Sequence, residues 1–446
     1  MSTLQTAVPN PSLAKPKDPL RGAFFWLMAF YVVYCARPED WIPGLAYIPL
    51  AKITGICAFI GLLMSLGKTK RTVKDLPREA GYLLAMIGLL YVSALFSPIW
   101  KGGALARSIE FSKVYVAWVL TFLLVTEFWK LRRVIFIQAC SVAVISVISV
   151  VKGRSHARLE GVLGGIYSNP NDLAFAIVLS IPFCIAFLLS SKGFLRKLGW
   201  IIGMLCMMVA LFMTASRGGF VTLVVAMTVS LWHFGVRGKR FYLIFGTALI
   251  GSVLMIVAGG PLMQRFEAMS GDVSSKQESK AYQSYEQRKY LMEKSIEAIQ
   301  RYPILGLGMR NFQEYSGEWL DVHMTYLQIC VEGGIPVLIL YLLFIRRPFV
   351  NLRELRKRAK KKKDIAPDIV LFAAALHSSF VGFIVGAMFA PEAYQFFPYF
   401  TVAYTACLMA IIRETSGEPV SSKSVLVRAR PSEYSRGEIG QPVSTY

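Results

Sequence analysis

Acidic residues are scarce in this chain. The 446 residues include 27 Asp and Glu against 49 Lys and Arg, and only 17% are charged. A soluble protein of this length could not hide a sequence that is 55% hydrophobic, with a mean hydropathy of +0.49. In a soluble protein the net charge of +22 would point to nucleic acid. Here the basic residues sit in short loops between apolar blocks, so no nucleic-acid partner is expected. The seven cysteines fall in or beside apolar runs and show neither CxxC nor metal spacing, which leaves them as small core residues. There is no HExxH, GxSxG, Walker A or DxD pattern, and no outer carboxylate cluster with metal spacing. Neither a metal nor a cofactor is expected. The N-terminus lacks a signal-peptide pattern and is expected to stay cytoplasmic.

What is present is a series of apolar blocks of roughly 15–23 residues, the length that crosses a bilayer as a helix. Barrel strands would instead alternate over about ten residues. The expected fold is an all-α transmembrane bundle of about twelve spans, near 22–36, 49–66, 80–97, 109–127, 133–151, 172–190, 198–214, 219–234, 241–258, 322–345, 369–390 and 398–412. Basic clusters follow the even-numbered spans: Lys68, Lys70, Arg71 and Lys74; Lys130, Arg132 and Arg133; Lys192, Arg196 and Lys197; Arg237, Lys239 and Arg240; and the run Arg346 to Lys363. The positive-inside rule makes that side cytoplasmic, with both termini on it. The resulting map has a cytoplasmic tail at 1–21, nine spans over 22–258 and a long periplasmic loop at 259–321. Three more spans cover 322–412, with a basic cytoplasmic loop at 346–368, and a disordered tail covers 413–446.

The outer side should be poor in cations, yet several arginines lie there. Between Gly259 and Asp321 eight Lys and Arg face nine Asp and Glu, so anion binding would fall to individual arginines rather than a diffuse field. In "TASRGG", Arg217 ends the seventh span. It reads either as a snorkelling arginine with two glycines closing a tight turn, or as a phosphate clamp at the membrane surface. The loop stretch "YEQRKYLMEKSIEAIQRYP" reads as a helix with Tyr285, Met292, Ile296 and Ile299 on one stripe, Arg288 at its edge and Pro303 ending it. Arg158 and Arg310 are further outer arginines. His323 is placed in the first turn of the tenth span, where a helix N-terminus favours neutral imidazole. It is either an interfacial histidine beside Trp319 or a proton acceptor for a sugar hydroxyl. Glu332 lies about 13 Å deeper on the opposite helical face. With Gly333 and Gly334 it is expected to make a buried hydrogen bond in close helix packing. Asn169, Asn171 and Asp172 can cap the sixth span, and Asn side chains also suit sugar hydroxyls.

Taken in order, "GRSHARLEGVLGGIYSNPNDLA", "TASRGG", the arginine-bearing loop helix, "YPILGLGMRNF" and "WLDVHMTYLQICVEGG" resemble the O-antigen ligase / O-antigen polymerase superfamily of bacterial membrane glycosyltransferases. The resemblance covers residues 150 to 345. It implies a GT-C-like helical fold in the bacterial inner membrane and metal-independent transfer of glycan from an undecaprenyl-pyrophosphate donor at the periplasmic face. Arg217 and Arg288 match the arginines that would grip pyrophosphate. His323 matches the histidine proposed to activate the acceptor, and Glu332 the acidic residue of the same motif. Arg158, Asn169, Asn171 and Arg310 are the remaining candidates for binding or support. Met324 stands where the family often has Asn, and "GGIPV" where a small-residue GxxG is common. Three acceptors fit the family: lipid A core for a ligase, a second lipid-linked repeat for a polymerase, and Ser or Thr for a protein O-oligosaccharyltransferase. Ligase is the first reading.

Overall fold

The computed structural model describes residues 18–65, 67–152, 159, 167, 169–260, 262–263, 276–361 and 365–420. Within them there is no strand. The long helices are α1 (Arg21–Ala36), α2 (Leu50–Met64), α3 (Arg78–Leu95), α4 (Lys101–Leu124), α5 (Phe128–Lys152), α6 (Pro170–Ser190) and α7 (Phe194–Met213). They continue with α8 (Arg217–Leu231), α9 (Tyr242–Ala258), α10 (Lys276–Arg301), α11 (Thr325–Lys361), α12 (Pro367–Gly386) and α13 (Phe396–Thr415). Eight of them (α3, α5, α6, α7, α8, α11, α12 and α13) are long and apolar enough to cross a membrane, and α1, α2 and α9 are shorter apolar helices. With α4, these take the order of the expected spans, and α10 is the helix of the long loop. The protein is a polytopic helical bundle.

Two helices form the centre. In α13 every residue from Phe397 to Ile412 is buried, and α6 is buried from Leu173 to Phe187. Side chains such as Phe245, Ile256 and Val257 stay well exposed. An apolar surface of that kind belongs in lipid, because no hydrophobic gain follows from burying it there. The α9 helix stands away from the bundle, with no buried residue between 242 and 257.

Side-chain bonds gather the basic loops at one end of the bundle. Arg71, fully buried, binds Glu414 at 2.6 Å and the carbonyls of Phe122 and Val125. Lys130 meets Asp18 at 2.6 Å. Arg132 reaches both Asp368 and Ser190, and Arg356 reaches His233. The opposite end holds the other connections: Tyr167 bonds the Cys35 carbonyl, and the Phe396 amide bonds Tyr34. His233 also lies 3.2 Å from His377 of α12, Nε2 to Nδ1.

The tenth span is one helix interrupted at Gly334, whose φ of 81° and ψ of 174° are non-helical. The segment after α10 repairs the break. Leu307 and Gly308 donate their amides to the Val331 and Glu332 carbonyls at 2.9 Å, and Ile335 donates to Pro303 at 2.8 Å. Irregular backbone is tolerated at membrane depth only when protein satisfies it in this way. Glycine is required on both sides. A Cβ at Gly334 would lie 2.1 Å from the Ile304 oxygen, and one at Gly306 would lie 2.5 Å from the Val331 oxygen. From α3, Ser93 bonds the carbonyls of Leu305 and Glu332. Asn311 ties the segment to Ser97 and Trp100.

Candidate active site

Arg217 opens α8. Ser216 caps that helix, accepting the Gly219 amide at 3.1 Å and donating to Asn171 at 2.8 Å. Asn169 caps α6 by accepting the Asn171 amide. The two glycines do not close a tight turn. They lie within the first turn of α8 and allow contact: a Cβ at Gly218 would meet Phe389 at 2.8 Å, and one at Gly219 would meet Ala174 at 2.7 Å. The turn is made by Ala215, at a φ of 48°, a conformation that costs an alanine roughly 1–2 kcal/mol. The result is a small cavity lined by Asn171, Ser216, Arg217, Arg288 and Phe389 among others. The two arginines expected to act together therefore share one cavity. Their guanidinium forks and the positive end of α8 present the same sign of charge to it.

Arg288 reaches this cavity because α10 is turned differently from the expected apolar stripe. Of that stripe Tyr285, Met292 and Ile296 are exposed and only Ile299 packs on the core, while Leu291, Ser295 and Ala298 are buried. Leu291 and Ala298 pack with Leu307, Phe312, Val322 and Val331. That face also carries Arg288, half-buried.

His323 lies two residues before α11 rather than in its first turn. Its Nδ1 is 2.9 Å from the Asp321 carbonyl oxygen. That oxygen can only accept, so Nδ1 carries the proton and Nε2 keeps a lone pair. Burial, and then the nearby Arg288 charge, hold the imidazole down to about 4. Burial and Arg288 thus both favour the neutral ring.

Glu332 is fully buried and accepts from the Tyr394 hydroxyl at 2.6 Å. The Arg310 amide also faces its carboxylate. The expected hydrogen bond is thus present, and its role is to join α11 to the last outer turn. Arg310 contributes a backbone with a φ of 57° and a positive charge near Asp321. Burial raises the Asp321 carboxyl, which Arg310 and a Gln313 hydrogen bond partly offset. Arg158 lies outside the described residues.

Sequence reasoning missed a carboxylate grouping at this end of the bundle. Asp172 from α6 lies within electrostatic reach both of Asp321, from the loop before α11, and of Glu392, from the turn between α12 and α13. Burial, and then the neighbouring Asp172, raise the Glu392 carboxyl well above its usual range. Only the acidic residue of "APEAY" beside two prolines and several aromatics could have drawn attention to that turn. Among the described residues no group of three or more His, Cys, Asp or Glu side chains could hold a metal ion.

The other side of α8 borders an apolar cleft of about 880 Å³ between α6, α7, α8 and α9, where Phe212, Phe220, Met227 and Met255 contribute to the wall. The described residues thus form a helical bundle with a two-arginine cavity, a histidine kept neutral by burial and Arg288, and an apolar cleft along α8. Residues 202–342 match the family model described as O-antigen ligase, bearing out the resemblance drawn from the motifs. The match spans Arg217, Arg288, Arg310, His323 and Glu332, and supports a membrane enzyme of the ligase and polymerase type. No curated protein matches the chain.

Proposed function

We propose that the protein is a glycosyltransferase of the bacterial inner membrane that moves glycan from an undecaprenyl-pyrophosphate donor to an acceptor hydroxyl at the periplasmic face, in the manner of an O-antigen ligase. What carries the reading is the meeting of Arg217 and Arg288 in one cavity, with Arg288 also close enough to His323 to act on its charge. The basic end of the bundle is then cytoplasmic, with both tails there, and the 259–321 loop is periplasmic.

The acceptor hydroxyl gives its proton to Nε2 of His323 as its oxygen attacks the anomeric carbon from the face opposite the leaving group. The bond from that carbon to the pyrophosphate oxygen breaks. Undecaprenyl pyrophosphate departs with one more negative charge, which Arg217 and Arg288 stabilise in place. A bidentate guanidinium suits those oxygens, and the polyprenyl tail has the apolar cleft beside α8 to lie in. Configuration at the anomeric carbon inverts.

Purified protein given a polyprenyl-pyrophosphate-linked repeat, with and without lipid A core, tests this. A single gel shift that requires the core marks a ligase, and a ladder from donor alone marks a repeat-unit polymerase. His323→Ala should lower transfer by roughly 100- to 10,000-fold, the span of a general base, at normal expression. Wild-type turnover in that variant would sink the base assignment.

A further inference from the structure

The arginine cavity accounts for the donor's charge but leaves a polar face of α11 without a task. Thr325, Gln328 and Glu332 fall on one side of that helix. The segment 387–394 runs along it. The Thr325 amide donates to the Ala387 carbonyl at 2.8 Å, its hydroxyl donates to Ala390 and accepts from the Glu392 amide, and Tyr394 donates to Glu332. Gln328 sits between the two anchor points. It is 2% exposed, and its amide oxygen has no hydrogen-bond partner among the described residues. The same holds for Oε1 of Glu392, which is 3% exposed. Asp172 lies within electrostatic reach of Glu392 and follows Asn171, a wall residue of the arginine cavity.

We infer that Gln328 and Glu392 are the acceptor-selecting residues of this site, taking a sugar that presents free hydroxyls and no phosphate. The inference rests on the transferase reading above. Buried acceptor atoms left without donors are costly and uncommon, and hydroxyls are the donors a glycan brings. The site is then polarised. Two guanidinium groups take pyrophosphate, while Gln328 and the buried Glu392 carboxyl offer hydrogen bonds to sugar hydroxyls and no cation to a second phosphate. Discrimination arises because a site built around hydrogen bonds loses them with the wrong partner.

The test uses full-length protein in lipid nanodiscs with a saturating undecaprenyl-pyrophosphate-linked oligosaccharide. The acceptor is lipid A core, or a second lipid-linked repeat if donor alone gives a ladder, each with its terminal sugar bare or phosphorylated. Wild type should favour the bare acceptor by about tenfold or more in kcat/KM. Glu392→Leu and Gln328→Met should each raise the acceptor KM by about tenfold, with little change in kcat or in undecaprenyl pyrophosphate binding. If one variant fails to fold, the other carries the test. An unchanged acceptor KM, a donor KM that rises instead, or equal use of the phosphorylated acceptor would overturn the inference while leaving the transferase reading intact. A folded wild type that transfers to neither acceptor would remove both.

Discussion

At His323 a hydrogen bond, burial and one neighbouring charge decide what the side chain can do. The Asp321 carbonyl fixes the proton on Nδ1, while burial and Arg288 hold the ring neutral down to about pH 4. An ordinary histidine would take up its proton near pH 6.5. The rate should therefore stay level from pH 8 to 6 and fall only as pH approaches 4. The same sign governs stability: the folded state binds this proton less well than the unfolded chain, so stability declines as pH falls from 6.5 towards 4. Replacing Arg288 with Gln removes one cause of the depression and should move the acid limb of the pH–rate profile upward, besides weakening donor binding. A limb that stays in place would show that Arg288 does not act on His323. These groups were legible in the sequence because His323 is an unusual residue at the mouth of an apolar run and Arg288 is an arginine on the helix of an outer loop, a side expected to be poor in cations. Asp172, Asp321 and Glu392 were not, since each outer turn contributes a single unremarkable carboxylate and only the fold assembles them.

The elements show where hydropathy suffices and where it fails. Length and apolar content mark the spans, because lipid imposes both. They do not fix how a helix is turned about its axis. For α10, the stripe of Tyr285, Met292, Ile296 and Ile299 promised a buried face, but only Ile299 of these packs on the core and the interior takes Leu291, Ser295 and Ala298, which brings Arg288 to the cavity. The break in α11 was equally hidden. "EGG" reads as close packing, and only the fitted segment 303–308 reveals that Gly334 must hold a positive φ. Gly334→Ala puts a Cβ against the Ile304 carbonyl and should cost more than 1 kcal/mol or so. A lowered melting temperature with loss of transfer is expected. A variant as stable and active as wild type would contradict the fitted geometry.

On the scale of the whole molecule, charge is sorted by end. Arg71, Lys130, Arg132, Arg356 and Arg358 gather at one, each with a hydrogen-bonded partner. Arg217, Arg288 and Arg310 lie at the other, the first two on the cavity and the third beside Asp321. A membrane-impermeant maleimide should label a cysteine placed at Trp319, which is 91% exposed, in intact spheroplasts. One placed at Lys357 should react only after the membrane is opened. The reverse pattern would invert the assigned orientation and with it the periplasmic site.

The repair of α11 by an earlier part of the chain also bears on biogenesis. A span that completes its own hydrogen bonds can enter the bilayer as an independent unit. This one cannot, since the Val331 carbonyl has its partner only once Leu307 has docked and the Glu332 carbonyl takes its partners from Gly308 and Ser93, and each unmet group in lipid costs several kcal/mol. The preceding loop must therefore cross the membrane and fold back before the tenth span is finished. Defects at Gly306 or Gly308 should surface during synthesis, as protein lost to quality control.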